Sequence, residues 1–202
     1  MILNLNEKLD ITGHLTIFKM HKDGREELVF DDHNIIVSGM GVALAHLFAL
    51  SGSESILDYQ IDRFQVGVSG STALEVDSTN QLSGPLSSFA EYGFDNNLVM
   101  VSANQILNNT VVASPKIFCI IPQQNITRID SNTVRYTLVL DDLAANNLIR
   151  NSVATPLNEI GLFIKNPKGQ EEDASILVAY RKFSNIYKTE DFSLVFRWSI
   201  NF

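Results

Sequence analysis

The chain has 202 residues, of which 45% are hydrophobic, and its 23 acidic and 15 basic residues give a formal net charge of −8. This length fits one domain with a buried core, and no Lys/Arg cluster is present that could neutralise a nucleic-acid backbone. No stretch approaches the ~20 apolar residues of a membrane-spanning helix. The sequence therefore predicts a single domain over residues 1–202, with neither nucleic-acid binding nor membrane insertion.

The single cysteine, Cys119, lies in the apolar run Lys-Ile-Phe-Cys-Ile-Ile and has no partner for an internal disulfide. In such a run a cysteine acts as a small core residue. The N-terminal sequence lacks the basic segment followed by an apolar segment that marks a secretory signal. We therefore expect the chain to fold in a cytoplasm.

The first predicted elements form a β-hairpin. Leu15–Met20 and Glu27–Phe30 are β-prone runs, and Asp23 and Gly24 between them favour the positive φ of a tight turn. Asn34–Val37 follows as a third short strand or as a continuation of the second. The chain therefore begins with antiparallel strands.

One helix is predicted next, over Met40–Leu50, with Ser38 as its N-cap and Ser51-Gly52 as its end. Apolar residues recur on one face at helical spacing. These residues are Met40, Leu44, Leu47 and Phe48. No other segment shows a comparable helical pattern.

The middle of the chain carries less pattern. Phe64–Val68 is strand-like, and residues 71–98 are poor in periodicity and rich in Ser, Gly, Asn and Asp. Irregular segments of that length in a compact domain are usually functional or dock on a partner. Three further strands are predicted before residue 122, at Leu98–Val101, Thr110–Ala113 and Lys116–Ile121.

The C-terminal part is again rich in strands. Those predicted are Val134–Leu140, Glu159–Ile164, Ile176–Arg181 and Phe192–Phe202, whereas Asp141–Ile149 is either a helical turn or a loop. Many strands, frequent turns and one helix are typical of a β-sandwich. The expected fold is mainly β, an antiparallel, jelly-roll-like β-sandwich with one short helix inserted near the N-terminus.

The last strand is the most aromatic segment of the chain. Its apolar residues alternate with polar ones, so that they share one face. The candidate anchors on this face are Phe196, Trp198, Ile200 and Phe202. They either pack in the core between the two sheets or are covered by another subunit, because an exposed aromatic strand would promote aggregation.

No catalytic, cofactor or metal site is visible, and we expect a protein that is not an enzyme. Ser38-Gly39-Met40-Gly41 resembles the start of a nucleotide loop, but Leu44 replaces its third glycine. Asp31-Asp32-His33 and Asp141-Asp142 are adjacent residues, which point to opposite faces of a strand. A nucleophile elbow of the Gly-x-Ser-x-Gly type is also missing.

Glu159 lies inside the apolar segment Leu157–Phe163. Such an acid points to solvent or, if it is buried, needs a partner. The candidate partners are Arg181 and Arg197. An ion pair of this kind would fix the register of the strands rather than perform chemistry.

Several segments in order resemble a family of tailed-bacteriophage virion proteins from the tail, baseplate or neck. In that family an Asn-Glu-x-Gly-Leu-Phe segment precedes x-Arg-x-Phe and a terminal x-Trp-x-Ile-x-Phe. The matching segments are Asn34–Val37 with the Gly39-x-Gly41 helix, Phe64–Val68, Leu157–Phe163, Ala179–Phe183 and Leu194–Phe202. The resemblance spans most of the chain except residues 71–130.

The resemblance implies a β-sandwich building block without catalysis or cofactors. It implies a homo-oligomer that contacts other virion structural proteins, located in the virion after synthesis in the host cytoplasm. Two alternatives stay open. One is a glycan- or receptor-binding module of a fibre or adhesin that uses Tyr92, Phe94 and Asn-rich loops, and the other is a hydrolase on a β-sandwich.

Overall fold

Two antiparallel sheets pack against each other in this protein, and one short helix follows the third strand. The structure is a computed structural model and describes residues 11–49, 52, 55–67, 119–147, 149–150, 153–154, 156–164 and 176–202. It confirms the predicted mainly β, antiparallel sandwich with one short helix near the N-terminus. The predicted irregular segment at 71–98 and the strands Leu98–Val101 and Thr110–Ala113 lie outside the described residues.

The strands in chain order are β1 (Thr12–His21), β2 (Glu26–His33), β3 (Ile35–Ile36), β4 (Ile61–Gly67), β5 (Cys119–Ile120), β6 (Ile126–Arg128), β7 (Thr133–Leu140), β8 (Ile149–Arg150), β9 (Val153–Ala154), β10 (Leu157–Ile164), β11 (Ile176–Ile186) and β12 (Phe192–Asn201). The helix α1 spans Ser38–Phe48, and short 3-10 turns span Ile56–Tyr59 and Gln123–Asn125.

The first sheet has the order β2-β1-β12-β7-β6, which places the aromatic last strand at its centre. Trp198 of β12 lies opposite Leu15 on one side and Tyr136 on the other. Thr12 pairs with Asn201 at one end of this sheet, and His21 pairs with Phe192 at the other end. Because β12 has ten residues, these two ends are about 30 Å apart.

The second sheet has the order β3-β11-β10-β4-β5, and β8 and β9 form a separate short hairpin. All residues of β10 are buried, including its polar ones. A strand buried on both faces reads as a continuous apolar run instead of alternating, which is why Leu157–Phe163 looks so apolar in the sequence.

The core lies between the sheets and continues under α1. Phe183 of the second sheet contacts Phe196 of the first, with ring centroids 6.0 Å apart. Met40 and Ala43 of α1 join the same buried cluster. Most of the stabilising apolar burial therefore comes from one continuous core.

The predicted hairpin is confirmed, and the helix differs in detail. Gly24 has a φ of +85° in the turn between β1 and β2. The helix begins at Ser38, two residues earlier than predicted, because the Val37 amide donates to the Val178 carbonyl (3.1 Å) and the strand passes directly into the helix. Phe48 does not share the buried face with Met40, since it is 88% exposed.

The helix offers a first test of this local structure. A Cβ atom at Gly41 would meet nothing within 4 Å, so Gly41→Ala should raise the free energy of unfolding by about 0.5–1 kcal/mol through helix propensity. Gly24→Ala should lower it, because alanine disfavours the positive φ of the turn. Urea denaturation of both variants measures the two changes, and a destabilised Gly41→Ala would contradict the helix described here.

Candidate interaction surface

The anchors predicted on the last strand belong mainly to the core. Phe196, Trp198 and Ile200 are 0% exposed, and all three belong to the buried cluster between the sheets. Phe202 is half-buried and packs against the edge of this cluster. Of the two interpretations, core packing therefore applies to the first three residues, and Phe202 lies where the core meets the surface.

The opposite face of β12 carries Arg197, which covers the outer side of the first sheet. Its guanidinium lies 4.5 Å from the centre of the Phe18 ring and 3.3 Å from Oε1 of Glu26. Arg197 thus joins β12 to both β1 and β2. The pairing is half-exposed, so we expect it to add only a small amount to stability.

Glu159 is fully buried, but the expected ion pair with Arg181 or Arg197 is not the one that forms. Its Oε2 accepts a hydrogen bond from the Tyr180 hydroxyl at 3.0 Å, while Arg181 pairs with Asp32 and Arg197 with Glu26. Arg181 lies opposite Ile160, one residue beyond Glu159, and adjacent residues leave a strand on opposite faces. Arg197 belongs to the other sheet.

Burial, together with the adjacent Glu159 carboxylate and its hydrogen bond, raises the pKa of the Tyr180 hydroxyl far above its usual value. Tyr180 therefore remains a protonated donor over the whole accessible pH range. This bond joins β10 to β11 on the face of the second sheet that points away from Ile160. The predicted ion pair of Glu159 with Arg181 or Arg197 is therefore replaced by a hydrogen bond between neighbouring strands.

Gly67 makes room for this carboxylate. It lies opposite Glu159 in the pairing of β10 with β4, and a Cβ atom built on it would lie 2.4 Å from Oε1 of Glu159. Sequence reasoning missed this contact because Gly67 looks like an ordinary glycine in an apolar strand. A glycine inside a strand does, however, signal close approach of another group.

An apolar pocket of about 240 Å³ opens between α1 and the end of the first sheet where β12 finishes. We call this pocket the socket. Its walls include Leu44, Leu47, Tyr59, Val134, Tyr136 and Phe202. The ring of Tyr59 also stacks on His46 of α1, with centroids 4.9 Å apart. The socket therefore lies beside the one predicted anchor that reaches the surface.

At the opposite end of the sheet, residues 141–147 form a loop that we call the knob loop. Of the two predicted alternatives for this region, a loop is what the structure has. Leu143 at its tip is 77% exposed, and its amide donates to Oδ1 of Asp141 at 3.0 Å. Ala145 and Asn147 have φ values of +59° and +49°, which non-glycine residues rarely adopt.

Lys188, a buried residue between β11 and β12, binds the knob loop. The buried Lys188 ammonium donates to Oδ1 of Asn146 (2.9 Å) and to the Thr189 carbonyl (2.8 Å). The backbone carbonyl of Lys188 accepts a hydrogen bond from the Asn147 amide (2.8 Å). The ammonium also lies 5.2 Å from the centre of the Phe192 ring. These contacts tie the loop to Lys188 at Asn146 and Asn147.

The Lys188 ammonium gives a pH test. Burial lowers its pKa to about 8, although the carboxylates of Asp141, Asp142 and Asp191 act in the opposite direction. The same group in the unfolded chain has a pKa of about 10.4, so between these values the unfolded state binds more protons and stability rises with pH. From about pH 7.5 to 9.5, the gain in unfolding free energy should be about 1–2 kcal/mol larger for the parent than for Lys188→Met. Equal gains would show that folding does not lower the pKa of this amine.

Among the described residues, no group of three or more His, Cys, Asp or Glu side chains is arranged to hold a metal ion. Within the same ranges, no helix is long and apolar enough to cross a membrane. Tyr92 and Phe94, the aromatic residues of the glycan-binding alternative, lie outside the part of the chain that the structure describes.

Comparison of the chain with protein-family models, with curated proteins and with solved structures finds no match. The features of the chain that bear on its function are the socket, the knob loop and the buried residues of the motifs in β10, β11 and β12.

Proposed function

We propose that this protein is a non-enzymatic structural component of a tailed-phage virion, from the tail, baseplate, neck or a fibre attachment site, and that it assembles as an oligomer. The observation that carries the proposal is the ordered set of motifs that resembles such virion proteins, above all Asn158-Glu159-Ile160-Gly161-Leu162-Phe163 followed by Trp198-Ser-Ile-Asn-Phe202.

The structure gives these motifs a common physical role, which supports a building block. Asn158 donates to Oδ1 of Asn185 (3.2 Å), and Glu159 accepts from Tyr180 (3.0 Å), so both polar residues join β10 to β11. Trp198 and Ile200 fill the core. The motif residues thus link neighbouring strands within the second sheet and fill the core between the two sheets, which is the role expected of a structural building block.

Quantitative mass spectrometry of purified phage particles from the source culture tests the proposal. We expect the chain at a constant copy number per particle across independent preparations, after gradient purification that removes soluble host proteins. A phage-encoded protein that is not part of the virion serves as the control for carry-over. Absence of the chain from intact particles would refute the proposal, and a glycan screen would then test the receptor-binding alternative.

A further inference from the structure

We propose that copies of this chain associate head to tail, with Leu143 of the knob loop of one copy inserted into the socket of the next. The proposal rests on the structural role put forward above and specifies the contact through which the oligomer forms. It joins a protruding apolar side chain at one end of the sandwich to an apolar pocket at the other end.

The knob loop has the properties of an interface element formed before binding. Leu143 is the most exposed leucine described, yet its loop is held by the Lys188 contacts and by the 2.6 Å hydrogen bond from Nδ2 of Asn146 to the Asp142 carbonyl. An apolar residue on a fixed loop loses little conformational freedom on binding, which lowers the cost of association.

The socket provides the complementary surface. Its volume is about 240 Å³, and its walls are mainly apolar. Two exposed apolar residues, Ile56 and Leu57, lie on the 3-10 turn that ends at the socket residue Tyr59. Phe48, at the end of the helix that forms one wall, is also exposed. An apolar pocket flanked by exposed apolar side chains is typical of an interaction site.

The charges beside the two elements are also complementary. Asp141 and Asp142 precede Leu143, and Asp142 makes only a long, exposed ion pair with Lys22 (3.9 Å). Arg128 lies next to the socket, because its strand partner Val134 lines the socket wall. The Arg128 guanidinium donates to the carbonyls of Asp130 and Ser131, and it acts electrostatically on the neighbouring Asp130 carboxylate without forming an ion pair with it. It is thus available to an acidic loop from another subunit.

The positions of the two elements determine the type of assembly. The knob loop follows Leu140 of β7, which lies opposite Leu194 near the start of β12. The socket adjoins Phe202, which lies just beyond the end of β12. The two elements are therefore at opposite ends of the first sheet. A contact between different surfaces of identical subunits is heterologous. Repetition of such a contact gives a closed ring, or a filament if the rotation does not close.

Sedimentation velocity of the full chain and three variants tests this contact. Leu143→Asp removes the knob, and Leu47→Glu places a charge in the socket. Leu28→Asp, at another exposed leucine on the edge strand β2, is the matched control.

We expect an oligomer for the parent and for Leu28→Asp, and monomers for the other two variants. Circular dichroism checks folding, and Leu44→Gln replaces Leu47→Glu if that variant unfolds.

Mixing the two monomeric variants gives the most specific readout. Leu143→Asp retains an intact socket and Leu47→Glu an intact knob, so an equimolar mixture should form a 1:1 dimer and nothing larger. Monomeric variants that fail to form this dimer would refute the head-to-tail contact, as would oligomers that persist in both single variants.

Two combined outcomes separate this inference from the proposed function. A parent chain that stays monomeric at every concentration would overturn the contact, while a constant copy number in phage particles would still support the structural role. Conversely, variants and mixture that behave as expected would support the contact even if the chain is absent from particles, and in that case only the virion assignment would fall.

Discussion

Replacement of Trp198 by alanine is expected to lower the free energy of unfolding by about 3–5 kcal/mol, the usual cost of removing a large aromatic side chain from a core. Trp198 is 0% exposed and lies in the centre of the first sheet between Leu15 and Tyr136. Urea denaturation with circular dichroism measures the loss.

Two further variants separate burial from hydrogen bonding at this position. The Trp198 indole nitrogen is buried and has no hydrogen-bond acceptor in the described part of the chain, so Trp198→Phe removes an unsatisfied donor and should cost clearly less than alanine. Val139→Ala, at an exposed site of the same sheet, should change stability by less than about 0.5 kcal/mol. If Trp198→Ala were as stable as the parent and only failed to assemble, Trp198 would be an interface residue instead.

The fold was predictable because its periodic signals are local. Alternation along Phe192–Phe202 and the Asp23-Gly24 turn each fix a strand or a hairpin without reference to distant residues. The helix was placed two residues too late, because its first turn is set by a hydrogen bond to Val178, and that partner is 141 positions away in the chain. Long-range contacts of this kind leave no local pattern.

The candidate site was less predictable for the same reason. The sequence marked Glu159 as an acid that needs a partner when buried, but the choice of Tyr180 over Arg181 depends on which face each residue takes in the register of β10 and β11. The knob loop carried one usable signal, since Asn147 is a residue type that tolerates the positive φ it adopts, whereas nothing in the sequence marks Ala145. The burial of Lys188 and the existence of the socket follow only from the packing of separate segments.

Replacement of Gly67 by alanine is the second change for which we expect a large effect. The added methyl group would lie 2.4 Å from Oε1 and 2.8 Å from Cγ of Glu159, so the buried side chain or the strand must move. Overpacking of this kind costs roughly 1–3 kcal/mol. Loss of the Tyr180 hydrogen bond to the displaced carboxylate would add roughly 1–3 kcal/mol more, since a buried polar group would lose its partner.

A double-mutant cycle with Glu159→Ala tests this explanation directly. In that background the atoms that collide with the new methyl group are absent, so Gly67→Ala should cost much less than it does in the parent. We expect a coupling free energy of about 1–3 kcal/mol, within the range measured for residues in contact. Additive effects would mean that Gly67 is required for its backbone alone. A strong coupling would show that the glycine on β4 is required because it makes room for the buried acid on β10.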